Sequence, residues 1–494
     1  MKSISREQIQ RRLHAENPWW VDREAISKSY TALQPRAYLE LFFPLVSDAS
    51  VHRAVVLLGP RRVGKTVMIH HSIRKLIQSN VPASRILYCS IDSPIYNGLT
   101  FDDILQEYTA ITGIDFDEEQ VYVFFDEIQY LKDWERHLKS LVDLRSSIKF
   151  CVSGSAAAAL KLKSQESGAG RFTDFLLPPL TFYEYLILSK EEDLVVAKPE
   201  THRDSVDYIC KDIDRLNEAF VDYINFGGYP EIALSPELQK NPARFIKSDI
   251  IDKVLLRDLP SLYGIQDIQE LNYLFTTLAF NSANEVSLES LAKSSGVAKN
   301  TIKRYIEYLE AAFLIRTVHR VDRNAKRFKR ANFFKVYLTN PSIRSALFAP
   351  IGGEDEAMGD LVETAIYAQW FHSDTTRLHY ARWSNGEVDM VYLGPDQRVR
   401  WTVETKWSDR YYEKPGELKS LCSFCHTNNI DSATVTTITH NGYKRFKNIG
   451  LTYRSASLHA YALGANLIWN MHPKHDEFLN KASDRKQDRS LDVD

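Results

Sequence analysis

The chain has 494 residues, 44% hydrophobic and 26% charged, with a formal net charge of −2. It is therefore not a polycation, and any contact with nucleic acid must come from local basic patches. No apolar run approaches the ~20 residues of a membrane span, the opening Met1-Lys-Ser-Ile-Ser5 starts no export signal, and five cysteines fit a reducing cytoplasm rather than a disulfide scaffold.

The first 35 residues read as an N-terminal extension. An apolar run, Ala54–Leu58, then leads into Gly59-Pro60-Arg61-Arg62-Val63-Gly64-Lys65-Thr66, and a helical pattern follows from Val67 to Ile77. A strand, a glycine turn and a helix start are the setting in which backbone N–H groups turn toward phosphates and the helix N-terminus adds positive potential. There the stretch 59–66 cradles ATP, Lys65 reaches the β- and γ-phosphates, and the Thr66 hydroxyl ligates Mg2+.

Arg85–Ile91 and Val121–Phe125 are the next strand candidates, and the second ends in Asp126-Glu127. Short apolar runs alternating with helical patterns indicate a parallel sheet with crossover helices. Asp126 is expected to hold Mg2+ through its water shell, and Glu127 to orient or deprotonate the attacking water. The strand Lys149–Val152 ends at Ser153-Gly-Ser155. Either serine can sense the γ-phosphate, and Ser155 is carried forward as nucleotide-binding. Arg171 is a candidate γ-phosphate contact in cis, a candidate arginine finger in a homo-oligomer, or a surface arginine at a strand start.

The order GPRRVGKT, FFDEIQ, SGSA, GRF…PLTFYEYL, Gly227-Gly-Tyr-Pro-Glu231 and Leu255-Leu-Arg-Asp-Leu-Pro260 resembles the prokaryotic AAA-type ATPases that carry an appended C-terminal domain of unknown function. The resemblance extends from Arg36 to Thr439. It implies a P-loop ATPase, a winged-helix segment and a C-terminal nuclease-like domain.

In the middle of the chain, Ser287–Gly296 reads as a short helix closed by glycine, and Lys299–Leu309 as a second. The second has an apolar face of Ile302, Tyr305, Ile306 and Leu309. Lys299, Asn300, Lys303 and Arg304 are left outward, which suits a DNA major groove. Ala312–Arg320 reads as a strand entering a wing. The run from Arg320 to Lys335 holds Arg320, Arg323, Lys326, Arg327, Lys329, Arg330 and Lys335 against a single acid, Asp322. It is a candidate phosphate contact, or a solvated edge whose lysines guard against strand pairing.

Toward the C-terminus, a helix over Met358–Phe371 carries Glu363, and strands follow at Leu378–Arg382, Glu387–Leu393 and Arg400–Lys406. A helix over Glu417–Asn428 and a strand over Ala433–Ile438 complete an α-β-β-β-α-β order. With E…D…E-x-K it resembles the PD-(D/E)XK nuclease fold. Glu404 and Lys406, two apart on a strand, face the same way. Asp389 and Glu404 can share Mg2+ or Mn2+ with a scissile phosphate. Lys406 can orient water or stabilise developing charge, and Glu363 can complete the metal shell. Cys422-Ser-Phe-Cys425-His426 matches a haem-attachment pattern, but its helical spacing reads better as buried core.

The expected fold class is α/β: a P-loop AAA-type ATPase core over 36–188, a helical lid or insertion over 189–243, a winged-helix domain over 244–350, a PD-(D/E)XK-like domain over 351–468 and a disordered tail over 469–494. Three functional readings follow. One is an ATP-hydrolysing, DNA-directed protein with a metal-dependent nuclease site acting against foreign DNA. Another is an ATP-driven switch whose nuclease-like domain holds DNA or a protein without cutting. A third is a signalling ATPase that oligomerises and uses no nucleic acid.

Overall fold

Four apolar runs, buried almost without interruption, and a fifth, partly exposed edge run make the sheet of the N-terminal part: β1 (Ala54–Leu58), β2 (Ile86–Ser90), β3 (Val121–Asp126), β4 (Ile148–Gly154) and β5 (Phe172–Leu176). Strands covered on both faces read as continuous apolar runs rather than alternating ones. In the computed structural model they pair in parallel in the order β2-β3-β4-β1-β5. The structure describes residues 5–26, 28–155, 170–198, 206–328, 332–373 and 376–471, and divides into two units, Met1–Leu177 and Pro178–Asp494.

In the first unit, the carboxyl ends of parallel strands share one edge of the sheet, where ligands of such folds bind. That edge carries Gly59 after β1, Glu127 after β3 and Ser155 after β4. The N-terminal residues are built into this unit. Helix α1 (Arg6–Glu16) starts in a capping box between Ser5 and Gln8. After it, Asn17 accepts from Tyr88 N at 2.6 Å and donates to Tyr88 O at 2.8 Å. Trp19 and Trp20 both donate to Ile86 O, at 3.1 and 2.8 Å. Side chains thus occupy the open edge of β2, which would otherwise invite another strand.

The second unit begins with α3, preceded in chain order by α2 (Lys65–Gln78) of the first; α3 spans Phe182–Ser189. Within residues 189–243, read as a helical lid or insertion, a short antiparallel pair forms, β6 (Val195–Ala197) with β7 (Tyr208–Cys210). α4 (Ile213–Phe226) follows. Then come α5 (Ile268–Phe280), β8 (Glu285–Ser287), α6 (Leu288–Ser295), α7 (Lys299–Ala311), β9 (Ile315–Val321) and β10 (Phe333–Leu338). Ser287 caps α6 and Gly296 closes it at φ 74°. On α7, Ile302, Tyr305, Ile306 and Leu309 are buried, and Lys299, Asn300, Lys303 and Arg304 are exposed. Lys329 and Arg330 lie outside the described residues, as does the tail beyond Met471.

Among the described residues, β8 to β10 join one nine-stranded sheet with β11 (Leu378–Trp383), β12 (Gly386–Leu393), β13 (Val399–Glu404), β14 (Ser432–Thr437), β15 (Gly442–Phe446) and β16 (Ile449–Ser455). The order is β15-β16-β14-β13-β12-β11-β9-β10-β8. β9 pairs in parallel with β11 through His319 and His379, Arg320 and Tyr380, and Val321 and Ala381. The pairing carries the sheet across the boundary expected near residue 350.

Helix α8 (Met358–Trp370) is buried on every face from Leu361 to Gln369, its polar side chains Glu363, Thr364 and Gln369 included. Leu361, Val362 and Ile366 share a core with Tyr337, Met390 and Val403, and each such fully buried side chain contributes about 1.5–3 kcal/mol. This packing draws Glu363, one residue from Val362, into the protein interior. Helix α9 (Lys419–Thr427) sets Cys422 and Cys425 in a second core with Val388 and Val435; both thiols are free. Helix α10 (Ala456–Met471) follows β16. No described helix is long and apolar enough to cross a membrane.

Candidate functional site

In the first unit, Gly64 adopts φ 94° and Lys65 begins α2, so the loop turns through a conformation that only glycine takes freely. Gly59 is fixed by space instead: a Cβ there would lie 2.3 Å from Leu177 O. Lys65 Nζ donates to Gly59 O at 3.0 Å and Pro60 O at 2.8 Å, folding the ammonium over its own loop. Thr66 Oγ1 donates to Asp126 Oδ2 at 2.6 Å. Tyr88 OH donates to the same oxygen at 3.1 Å. Ser153 Oγ donates to Asp126 Oδ1 and accepts from Glu127 N at 3.3 Å. The Thr66 hydroxyl and the Asp126 carboxylate are thus hard oxygen donors side by side, which suits Mg2+.

Of the two serines, Ser153 touches the acidic pair. Ser155 instead donates its N–H to Gln129 Oε1 at 3.2 Å, and its hydroxyl is buried without a partner. Arg171 is not at this site. It precedes β5, beside Ala54 at the amino edge of the sheet, and its Nε donates to Asp143 Oδ1 at 2.9 Å. The phosphate loop leaves the opposite end of β1, so the parallel register rules out a γ-phosphate contact in cis.

In the second unit, Glu363, Asp389, Glu404 and Lys406 line one cavity of about 480 Å3. β13 ends at Glu404, and Lys406 lies beyond it. Even so, Lys406 Nζ sits 2.8 Å from Glu404 Oε1 and 3.2 Å from Asp389 Oδ2. Thr405 N donates to that Asp389 oxygen at 2.9 Å. A second lysine enters from β10: Lys335 Nζ is 2.9 Å from Glu363 Oε1 and 2.8 Å from Glu387 Oε1. Tyr337 OH also donates to Glu363, at 2.6 Å. Lys335 had counted as part of the basic run. It is only 3% exposed and serves the acid cluster, so it is not a phosphate contact of the wing.

Four carboxyl groups here face two ammonium groups. Burial, with the neighbouring Asp389 charge, pushes Glu404 up to about 7. Burial also lifts Glu363 to about 7 against the pull of Lys335. Asp389 stays below the ordinary range: burial opposes its charge, but Lys406, Lys335 and the Thr405 N–H outweigh it. Burial works against the Lys406 ammonium too, yet Glu404 and Asp389 hold it above its ordinary value. Glu404 Oε2 is buried with no hydrogen-bond partner. This orphan oxygen and the excess of carboxylate suit a hard cation. Among the described residues, however, no group of three His, Cys, Asp or Glu side chains is gathered to hold a metal, and the ammonium of Lys406 contacts both Asp389 and Glu404.

Residues 51–186 match the model of the AAA domain family. That span is similar to an AAA domain and runs from β1 into α3. Together with the loop, Thr66 and Asp126, this indicates nucleotide binding, usually with Mg2+, and NTPase chemistry. Residues 217–355 match a domain of unknown function, DUF8612. The chain is 27% identical to an uncharacterized protein of Methanocaldococcus jannaschii over 63% of its own length and 66% of that protein's, just short of two thirds. It is 25% identical to an uncharacterized protein of Haemophilus influenzae over 69% of this chain and 80% of that one. A second Methanocaldococcus jannaschii protein is 23% identical over 78% of this chain and 82% of its own length.

Other residues of the first unit shape this site with little sequence signal of their own. Arg36 is buried and donates to Val63 O at 3.1 Å, tying the phosphate loop to the segment before it. Gln129 donates to Glu127 Oε2 and accepts from Ser155 N, linking the Glu127 carboxylate to the end of β4. Glu127 itself has φ 56°, a conformation costing about 1–3 kcal/mol for a residue with a side chain. Only the FFDEIQ string hinted at Gln129.

Proposed function

We propose that the protein binds and hydrolyses ATP in its AAA domain and, in the cytoplasm, directs a metal-dependent cut into DNA, foreign DNA being the target class. The observation that supports the second half is the convergence of Glu363, Asp389, Glu404 and Lys406 on one cavity. In this reading Asp389 and Glu404 would hold Mg2+ or Mn2+, which polarises a phosphoryl oxygen when bound. Lys406 orients the attacking water and steadies charge on the phosphate. Glu363, held near neutrality by its surroundings, takes or gives a proton there. The exposed Lys299, Asn300, Lys303 and Arg304 of α7, in a winged-helix arrangement, contact the duplex, and Arg171 serves a neighbouring subunit of a homo-oligomer.

The test is incubation of the full chain with plasmid and linear DNA in Mg2+ or Mn2+. Cleavage that Asp389→Ala and Lys406→Ala each abolish, with ATP binding retained, is the expected result. No cleavage of any DNA or RNA over a broad range of conditions refutes it. One observation favours a second reading, an ATP-driven switch that binds DNA or protein without cutting. Glu363, Glu387, Asp389 and Glu404 each already face a lysine. DNA binding without cleavage in either metal would support that reading.

A further inference from the structure

The edge strand β15 has a sequence pattern that an ordinary guarded edge does not need. From His440 to Ile449 the chain reads His-Asn-Gly-Tyr-Lys-Arg-Phe-Lys-Asn-Ile, with three strong bases and no acid. Tyr443, Arg445 and Lys447 are exposed, while Lys444 and Phe446 between them are half-buried. Basic side chains on an edge strand are often only a guard against strand pairing. Two further features go beyond that. Tyr443 is 64% exposed, and its ring lies across Gly450 of β16: a Cβ on Gly450 would fall 2.5 Å from Tyr443 Oη and 3.0 Å from its Cε2. The glycine lets the ring lie down on the sheet, leaving one aromatic face open. Arg445 stands opposite Gly450 in register. The β15–β16 turn also puts Lys447 at φ 47° and Asn448 at φ 65°. Asparagine and glycine are the residues such a turn favours, yet a lysine holds the first place.

The strand abuts the cavity rim. Lys444 Nζ donates to Tyr412 O at 2.7 Å and sits 3.6 Å from the Tyr412 ring centre. Phe446 packs against Gly416. Tyr411, Glu417 and Leu418, beside these residues in the chain, line the cavity. Among the described residues no acidic side chain pairs with Arg445 or Lys447.

We propose that the β15–β16 hairpin is a binding site for single-stranded nucleic acid, with an unpaired base stacked on Tyr443 and backbone phosphates on Arg445 and Lys447. Stacking platforms flanked by bases are how single strands are held without sequence readout. The open ring face favours an unpaired base over a duplex, in which the bases are already stacked. The idea deepens the DNA-directed reading and rests on it for the role of the cavity, but the binding is tested without cleavage.

The full chain, in EDTA so that no metal-dependent cutting intrudes, is titrated with fluorescein-labelled 20-nucleotide single-stranded DNA, the same sequence as RNA, and the duplex, over a salt series. Tyr443→Ala should weaken single-strand binding roughly 5- to 150-fold without changing the salt dependence, and Tyr443→Phe should bind as wild type. Arg445→Ala with Lys447→Ala should weaken it and flatten the slope of log K against log salt by about 1.4. Wild-type affinity and slope in these variants, or no single-strand binding by the wild type, overturns the proposal. So does duplex binding that matches or exceeds single-strand binding and ignores Tyr443→Ala. Weakened binding in the hairpin variants with no cleavage in any metal would keep this site and refute only the nuclease.

Discussion

Glu404→Gln tests the electrostatics of the cavity directly. Glu404 titrates near 7 in the folded chain against an ordinary value of 4.5. An acid raised in this way favours the folded state fully below about 4.5, and that contribution is lost as pH rises through about 7. For these two values the loss between pH 5 and pH 8 is roughly 2–3 kcal/mol. Glutamine is close to an isostere of the protonated acid, so the stability of the variant relative to the wild type should rise by about that amount between pH 5 and pH 8. The assay is urea unfolding of the full chain at both pH values, read as variant minus wild type. The difference cancels His379 and His459, whose burial lowers them to about 4 and about 3 and gives the opposite slope. The lowered Asp389 titrates below this window. Parallel pH profiles for variant and wild type would refute the claim that Glu404 is held uncharged by its surroundings.

Lys335→Met leaves the buried Glu363 without its counter-ion, while Glu387 keeps Arg382 at 3.3 Å, and should destabilise the fold by about 3–5 kcal/mol. Adding Glu363→Gln should recover part of that loss, and additive losses in the double variant would show that the two groups are uncoupled. Gly59→Ala forces a Cβ to 2.3 Å from Leu177 O; binding of a fluorescent ATP analogue should be lost, and wild-type affinity would show that the loop has room. Glu127→Gln should bind ATP while hydrolysing it about 10²–10⁴-fold more slowly, whereas equal turnover would remove Glu127 from the reaction. Arg171→Ala, at the far end of the sheet from the loop, should leave turnover unchanged at low protein concentration, and a loss there would contradict the register.

Much of the first unit was legible because strands buried on both faces announce themselves as apolar runs, and because the phosphate loop is fixed by local geometry. Helix α8 was legible to within a residue, and with it Glu363. Lys406 was named on a strand argument that the structure modifies: the strand stops at Glu404, yet the side chain still reaches both acids. Other features depended on partners distant in sequence. Lys335 looked like one more base in a basic run, since nothing near it foretells Glu363, 28 residues away. Arg171 could not be placed without the β1–β5 register. Ser153 and Ser155 differ by a single pleat-to-pleat step, and only the position of Asp126 separates them. The β6–β7 pair is three residues a side, too short for periodicity to reveal.

The parallel seam between β9 and β11 bears on how this protein can be taken apart. A fragment cut near residue 350 to isolate the C-terminal acids would shed Lys335 and Glu285 from the wall of their cavity. It would also strip β11 of its neighbour, baring a row of backbone donors and acceptors. Such a fragment should stick to itself and lose the charge balance around Glu363, and an inactive truncation would then say nothing about the intact molecule. Dissection of the chemistry therefore has to proceed by point substitution within the full chain, not by excision.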